Sequence, residues 1–397
     1  MTDRIWVTNG KVVTENGIRE HEAVLVENGR IREGVHERDR HLEDCPDDAR
    51  TIDAHGGWIL PGFVDIHVHG GLGADFMDGT PEAFARIAHF HGTQGTTSML
   101  ATTVTASKRA IDHVLKTAHG EVNARKDFPR AAGARIIGVH LEGPFISTKW
   151  PGAQNPAFIV PPNSHWVSDW MARYPGLIRM VTLAPELPGA LELIAKLSAE
   201  GVVPACGHTD AAYADIGRAA DLGLRHAAHT FNAMKGLHHR EPGAAGAVLT
   251  DDRLSAEVIA DGHHVHPAVI RLIARAKPED RLIAVTDAIR AAGQGDGDFK
   301  LGGLTVHVTN GVARLAGSDI LAGSTLTMIG AFRCLVREVG LSPEAASRMV
   351  SGNPARAIGI AHDTGSIAAG KRADLVILNP NLDIIDVLQS GRSIAVR

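Results

Sequence analysis

Three shortages in the chain each close off a class of protein. Only three cysteines occur in 397 residues, Cys45, Cys206 and Cys334. An odd number, widely spaced, argues against a disulfide framework and for a reducing compartment. No run approaches the ~20 apolar residues of a membrane span, and the opening Met-Thr-Asp-Arg-Ile-Trp has no apolar stretch of signal-peptide length. A cytoplasmic protein with no membrane partner is therefore expected. Positive charge is not in excess either: the formal net charge is -5, so no basic field exists to attract nucleic acid. Any anionic ligand must be held by local groups, and no Gly-rich phosphate loop of the P-loop kind is present to do so.

What remains is ordinary globular material. The hydrophobic share is 44% against 21% charged, which leaves no case for disorder. The length suits one large core plus a satellite domain. Residues 1–58 read as short strands broken by Asn9-Gly10, Asn16-Gly17 and Asn28-Gly29, pairs that favour hairpins because both residues tolerate positive φ. Residues 361–397 have the same texture, with Ala373 to Leu378 and Val387 to Ile394 separated by Asn379-Pro380 and Ser390-Gly391. The two ends are expected to form one small β-sandwich, their strands pairing with each other.

Residues 59–360 change to short apolar runs alternating with helical segments. Candidate strands are Phe63 to Ile66, Thr97 to Ala101, Ile136 to Val139, Met180 to Ala184, Val202 to Ala205, His226 to His229, Ser255 to Ala260 and Leu282 to Thr286. Candidate helices include Pro81 to His91, Lys108 to His119, Gly189 to Glu200, Ala211 to Leu222, Pro267 to Ala276 and Thr325 to Val339. Eight such units predict an α/β fold of the (β/α)8 TIM-barrel type, in which catalytic groups sit at the C-terminal strand ends.

Those ends carry His67 and His69, Glu142, His208, His229 and Asp287. Imidazole and carboxylate suit Zn²⁺ or Fe²⁺, and ligands two apart on a strand share a face. With 22 histidines, H-x-H is expected about once by chance, yet it occurs three times. His89-Phe90-His91 falls in a helix, where an i, i+2 pair cannot face one ligand, so plain helix surface is expected there. His264-Val265-His266 follows the seventh strand as a loop or binding feature. His67-Val68-His69 gains weight from its place after an apolar strand. The joint pattern is stronger than any pair, since five different strand ends each supply a metal-compatible residue.

The stretches Leu60-Pro-Gly-Phe-Val-Asp-Ile-His-Val-His-Gly70, His140-Leu-Glu-Gly-Pro-Phe145, Gly207-His-Thr209, His229-Thr-Phe-Asn-Ala-Met234, Arg240-Glu-Pro-Gly243 and Val285-Thr-Asp-Ala288 resemble N-acetylglucosamine-6-phosphate deacetylases of the amidohydrolase superfamily. The likeness runs on to Thr364-Gly-Ser-Ile-Ala-Ala-Gly-Lys-Arg-Ala-Asp-Leu375. It implies that Glu142, His208 and His229 hold one divalent metal, and that His67, His69 and Asp287 can help hold a second bridged by Glu142. No lysine ends the fourth strand, which counts against a carboxylated-lysine site. The resemblance further implies that Asp287 takes a proton from the attacking water and delivers it to the departing amine.

It also implies a small sugar-phosphate substrate and a homodimer. Arg240, His264 and main-chain N–H groups near Asn232 and Ala233 are the candidates for the phosphate. The run Leu321, Ala322, Gly323 and Ser324 takes the place of another substrate loop, unless Ser324 only caps the following helix. In the loop after Glu-Gly-Pro some members carry a carbonyl-polarising histidine, where this chain has Ala153-Gln154. Gln154 can donate a hydrogen bond but cannot carry charge. A deacetylase for N-acetylgalactosamine 6-phosphate would share every motif. A cyclic-amide hydrolase and a non-catalytic scaffold are the remaining alternatives, the last marked by lost ligands, and none is lost here.

Overall fold

The computed structural model describes residues 4–20, 22–32, 35–36, 49–127 and 133–394; Cys45 lies outside them. All eight apolar runs form strands: β1 (Phe63–Val68), β2 (Thr96–Thr103), β3 (Arg135–Glu142), β4 (Ile178–Leu183), β5 (Val203–Cys206), β6 (His226–Ala227), β7 (Ser255–Ile259) and β8 (Leu282–Val285). They are neighbours in chain order and pair in parallel. Every residue of β1, β2, β7 and β8 is buried. Strands covered on both faces read as continuous apolar runs rather than as alternation, which is why they were legible. The ring closes between its ends, where the Asp287 N–H donates to the His67 carbonyl at 2.8 Å and the Thr286 hydroxyl to Asp65 at 2.6 Å.

Inside the ring, Val64, Ile66, Leu100, Met180, Ala205, Ile259, Ile283 and Val285 form one buried cluster, joined by Ala355 and Ile358. These residues come from six different strands, so they meet only in the space the strands enclose. Helices α1 (Pro81–Thr93), α2 (Lys108–Asp127), α3 (Ser164–Arg173), α4 (Ala190–Ala199), α5 (Tyr213–Asp221), α6 (Gly243–Thr250) and α7 (Pro267–Ala276) follow their strands. Helix α1 shows why the sequence stops and starts where it does. Thr80 accepts a hydrogen bond from the Ala83 N–H and Pro81 occupies the first helical position, where its missing N–H costs nothing.

Both chain ends build two further sheets. One has five strands from residues 4–53; in the other, Leu375–Leu378 pairs antiparallel with Trp58–Pro61, which pairs parallel with Lys11–Thr14. Ile5, Val7, Val24 and Val26 of the first sheet share a core with Val12, Ile59, Leu375 and Ile377 of the second. This packing is the expected sandwich. Asn28-Gly29 and Ser390-Gly391 close hairpins with both residues at positive φ. Asn9-Gly10 does not: the strands on either side, Arg4–Thr8 and Lys11–Thr14, lie in different sheets. Gly10 turns the chain from one layer to the other, where a Cβ would come within 2.8 Å of Ala54.

Two other expectations need correction, and one element was not expected. A three-stranded antiparallel sheet, Gly297–Leu301, Leu304–Thr309 and Val312–Leu315, follows β8. Helix α8 (Met328–Cys334) then begins later than the sequence suggested, capped by Thr327, while the Ser324 hydroxyl donates to the Thr286 carbonyl. His91 is not surface. It is fully buried with Nε2 at 2.9 Å from the Gly70 carbonyl, because the loop after β1 folds back over α1.

Burial pushes the His91 imidazole down to about 4, against the pull of the Gly70 carbonyl. The folded state therefore prefers the neutral ring. Its contribution is intact above the unfolded value of about 6.5 and is lost as pH falls toward 4. His91→Gln keeps a donor for Gly70 but does not titrate. Between pH 7 and about pH 4.5 the wild type should lose about 2.5 kcal/mol more unfolding free energy than the variant. Urea unfolding at both pH values measures this, and parallel losses in the two proteins would rule it out.

Candidate metal centre

The six strand-end residues meet at one buried point. Glu142 is the last residue of β3; His208, His229 and Asp287 each lie two residues beyond the ends of β5, β6 and β8. All three of these have left-handed backbones, with φ of 48°, 29° and 49°. Non-glycine residues adopt this region at a cost, and it concentrates at functional sites. Here it turns each side chain sharply inward as the chain leaves its strand.

Glu142 is the hub. Its Oε1 lies 2.9 Å from His229 Nε2, 3.1 Å from His208 Nε2 and 3.3 Å from His67 Nε2, while Oε2 lies 3.4 Å from His69 Nε2. Asp287 Oδ1 is 3.1 Å from His69 Nε2 and 3.7 Å from His67 Nε2. Two triads, His67 with Glu142 and His229, and His67 with His69 and Asp287, have ligand atoms within 4.8 Å of one another. His67 thus stands in both, where the resemblance placed it only in the second. Burial alone would raise the Glu142 carboxyl, but the charges and hydrogen bonds of His67, His208 and His229 hold it well below the usual carboxylate range.

The outward nitrogens test whether these residues fit a metal. His67 Nδ1 is bonded to Glu257 Oε2 at 2.9 Å, His208 Nδ1 to the Trp150 carbonyl at 3.0 Å, and His229 Nδ1 to the Asn232 carbonyl at 3.2 Å. A carbonyl can only accept, so Nδ1 of His208 and His229 carries a proton, which leaves Nε2 as the nitrogen that would give its lone pair to a metal at the centre. That pattern is typical of metal-ligating histidine. His67 Nε2 is moreover buried without a hydrogen-bond partner. The donor set of nitrogen and oxygen fits a divalent ion such as zinc or iron.

Over this centre opens a cleft of about 480 Å³, a size suited to a small ligand. Its wall includes Ala153, Gln154, Asn232, Ala233, His264, Leu321 and Gly323, together with Lys149 and Trp150. Gln154 is committed: its Oε1 accepts the Thr105 N–H at 2.6 Å and its amide nitrogen donates to Glu142 Oε2. His264 gives Nδ1 to Asp261 Oδ2 at 2.6 Å, which leaves Nε2 for a ligand. The neighbouring His266 instead caps α7.

Several nominated residues stand elsewhere. Arg240 is exposed, bonds His239 at 2.7 Å and is absent from the cleft wall, because the loop before α6 carries it outward. Ala322 and Ser324 are buried behind the wall that Leu321 and Gly323 form. The Asn232 N–H is taken by the His229 carbonyl at 2.9 Å. Glu257, in the middle of β7, went unnoticed, as did Asp65, which bonds Thr286 across the closure of the barrel. The signal for both was a lone carboxylate inside a largely apolar strand.

A parallel barrel with clustered imidazoles and carboxylates at its C-terminal mouth defines a metal-dependent hydrolase. Residues 58–395 match the model of the amidohydrolase family. The chain is 37% identical to the N-acetylglucosamine-6-phosphate deacetylase of Bacillus subtilis (strain 168), covering 98% of this chain and 97% of that one. It is 39% identical to the N-acetylgalactosamine-6-phosphate deacetylase of Escherichia coli O157:H7 over 84% and 87%. The N-acetyl-D-glucosamine-6-phosphate deacetylase of Mycobacterium smegmatis superposes with a TM-score of 0.88 at 35% identity, covering 99% of this chain and 100% of that chain. The chain belongs to the N-acetylglucosamine-6-phosphate deacetylase family of the amidohydrolases.

Proposed function

We propose that this chain hydrolyses the acetamide of N-acetylglucosamine 6-phosphate to glucosamine 6-phosphate and acetate. The observation that carries this reading is the convergence of His67, His69, Glu142, His208, His229 and Asp287 beneath one cleft. A divalent ion, Zn²⁺ or Fe²⁺, held by Glu142, His208 and His229, with a second at His67, His69 and Asp287, would acidify a water and polarise the acetyl carbonyl.

The chain's own groups do the rest. Asp287 accepts the water's proton and returns it to the sugar nitrogen, so that the C–N bond breaks to an amine rather than to an amide anion. Gln154 holds Glu142 in register. His264 Nε2, with Lys149 at the mouth, offers charge-assisted hydrogen bonds to the phosphate.

We also propose that residues 59–360 form the catalytic domain and that 1–58 with 361–397 form the sandwich, Trp58–Pro61 passing the chain from one to the other. The homodimer rests on the family likeness, and light scattering tests it. The buried free thiols Cys206 and Cys334 suit a reducing cytoplasm. Among the described residues no helix is long and apolar enough to cross a membrane.

Acetate release from N-acetylglucosamine 6-phosphate, before and after chelation, tests the reading. Activity should vanish on chelation and return with Zn²⁺ or Fe²⁺. Full turnover in a metal-free sample refutes the metal, and no acetate in a metal-loaded one refutes the substrate. The Escherichia coli relative favours N-acetylgalactosamine 6-phosphate as a second reading. The ratio of kcat/KM for the two epimers decides between them.

A further inference from the structure

We propose that Glu257 is the positioning residue of the metal centre, one carboxylate from the middle of β7 that orients both His67 and His229. The proposal rests on the metal reading above but adds a residue that contacts neither the substrate nor, at its own oxygens, the central point.

Glu257 is fully buried, and each of its oxygens is engaged. Oε2 lies 2.9 Å from His67 Nδ1 and accepts the backbone N–H of His229 at 3.1 Å; Oε1 lies 2.7 Å from His226 Nε2. An ionised carboxylate only accepts, so a His67 proton is placed on Nδ1, which leaves Nε2, without a hydrogen-bond partner of its own, to give its lone pair to a metal at the centre. The second contact acts on the backbone. His229 has a left-handed φ of 29°, a strained position that persists only where its surroundings hold it. The Glu257 bond to its N–H is such a hold.

The third partner decides what a substitution does. His226 is buried and its Nδ1 has no hydrogen-bond partner, so its proton can move from Nε2 to Nδ1 without breaking a contact. Glu257→Gln can therefore keep its oxygen toward His67 and His229 while its amide nitrogen donates to His226. Glu257→Leu fills similar space and leaves all three without an acceptor.

The test measures Zn²⁺ affinity by competition with a chromophoric chelator, alongside urea unfolding of the metal-free proteins. Loss of an outer partner typically weakens metal binding 10–100-fold. Glu257→Leu should reach about 100-fold or more, and Glu257→Gln should stay within about 10-fold. Wild-type affinity in Glu257→Leu overturns the proposal, and so does a Glu257→Gln protein as weak as Glu257→Leu. Should Glu257→Leu not fold, ¹⁵N NMR of the zinc-loaded wild type carries the test. His67 must then show a protonated Nδ1, and an unprotonated Nδ1 overturns the role. A wild type that binds no divalent ion sinks the metal reading itself, whereas unchanged affinity in the variants sinks only Glu257.

Discussion

Asp287→Asn should lose ~10²-fold or more in kcat while retaining at least one ion per chain. The substitution is isosteric, and the backbone that aims the side chain is fixed independently of it. The Asp287 N–H donates to the His67 carbonyl at 2.8 Å and its own carbonyl accepts the Ser324 N–H at 2.8 Å. Geometry therefore survives, and what is lost is the capacity to take and return a proton. Burial pushes the Asp287 carboxyl up, but the hydrogen bond from His69 and the charges of His67 and His69 leave it below its ordinary value. The wild-type group is thus ionised and ready to accept at neutral pH. If it is the base, the wild-type kcat/KM falls on the acid side as this carboxylate protonates, and that limb disappears in the variant. Steady-state rates across pH, with metal content measured on the same samples, check both statements. Near-normal turnover with metal intact would remove Asp287 from the chemistry.

How much of this was legible beforehand depends on whether a residue's partner is local. The strands of the barrel were readable because burial on both faces leaves apolar runs, and the six converging positions because strand ends are where such barrels place chemistry. His91 was misread because its face of α1 is covered by the Gly70 loop, which no helical periodicity reveals. Glu257 was missed for the same reason. Its three partners sit on β1 and around β6, and a carboxylate inside an apolar strand does not announce which strand it will meet. Arg240 shows the converse: the Arg-Glu-Pro-Gly motif carries the family resemblance, yet the arginine is not part of the wall of the chain's own cleft.

Glu142→Gln should abolish stable metal binding, with affinity down about a hundredfold or more, since even an outer partner alone commands 10–100-fold. Four imidazoles face this one carboxylate, and no other acid of the centre reaches His208 or His229. The metal-free protein should also change, and the sign is fixed by the two kinds of group. Glu142 is held well below its ordinary value, so its contribution is present above the unfolded carboxyl value of about 4.3 and lost as pH falls. His67, His69 and His229 are raised: burial alone would lower them, but Glu142, together with Glu257 and Asp287, outweighs it. Their contribution is present below the unfolded histidine value of about 6.5 and is lost as pH rises through the folded values. Both conditions hold together only in the window between about pH 4.3 and 6.5 and somewhat above it. Removing one member of a buried pair costs about 3 kcal/mol. Metal-free Glu142→Gln should therefore fall furthest below metal-free wild type near pH 5.5 and approach it as the histidines deprotonate. Urea unfolding of chelated samples across that range measures the stability difference, and metal analysis of the untreated variant measures the binding. A variant that purifies with wild-type metal content would show that the hub of the site lies elsewhere.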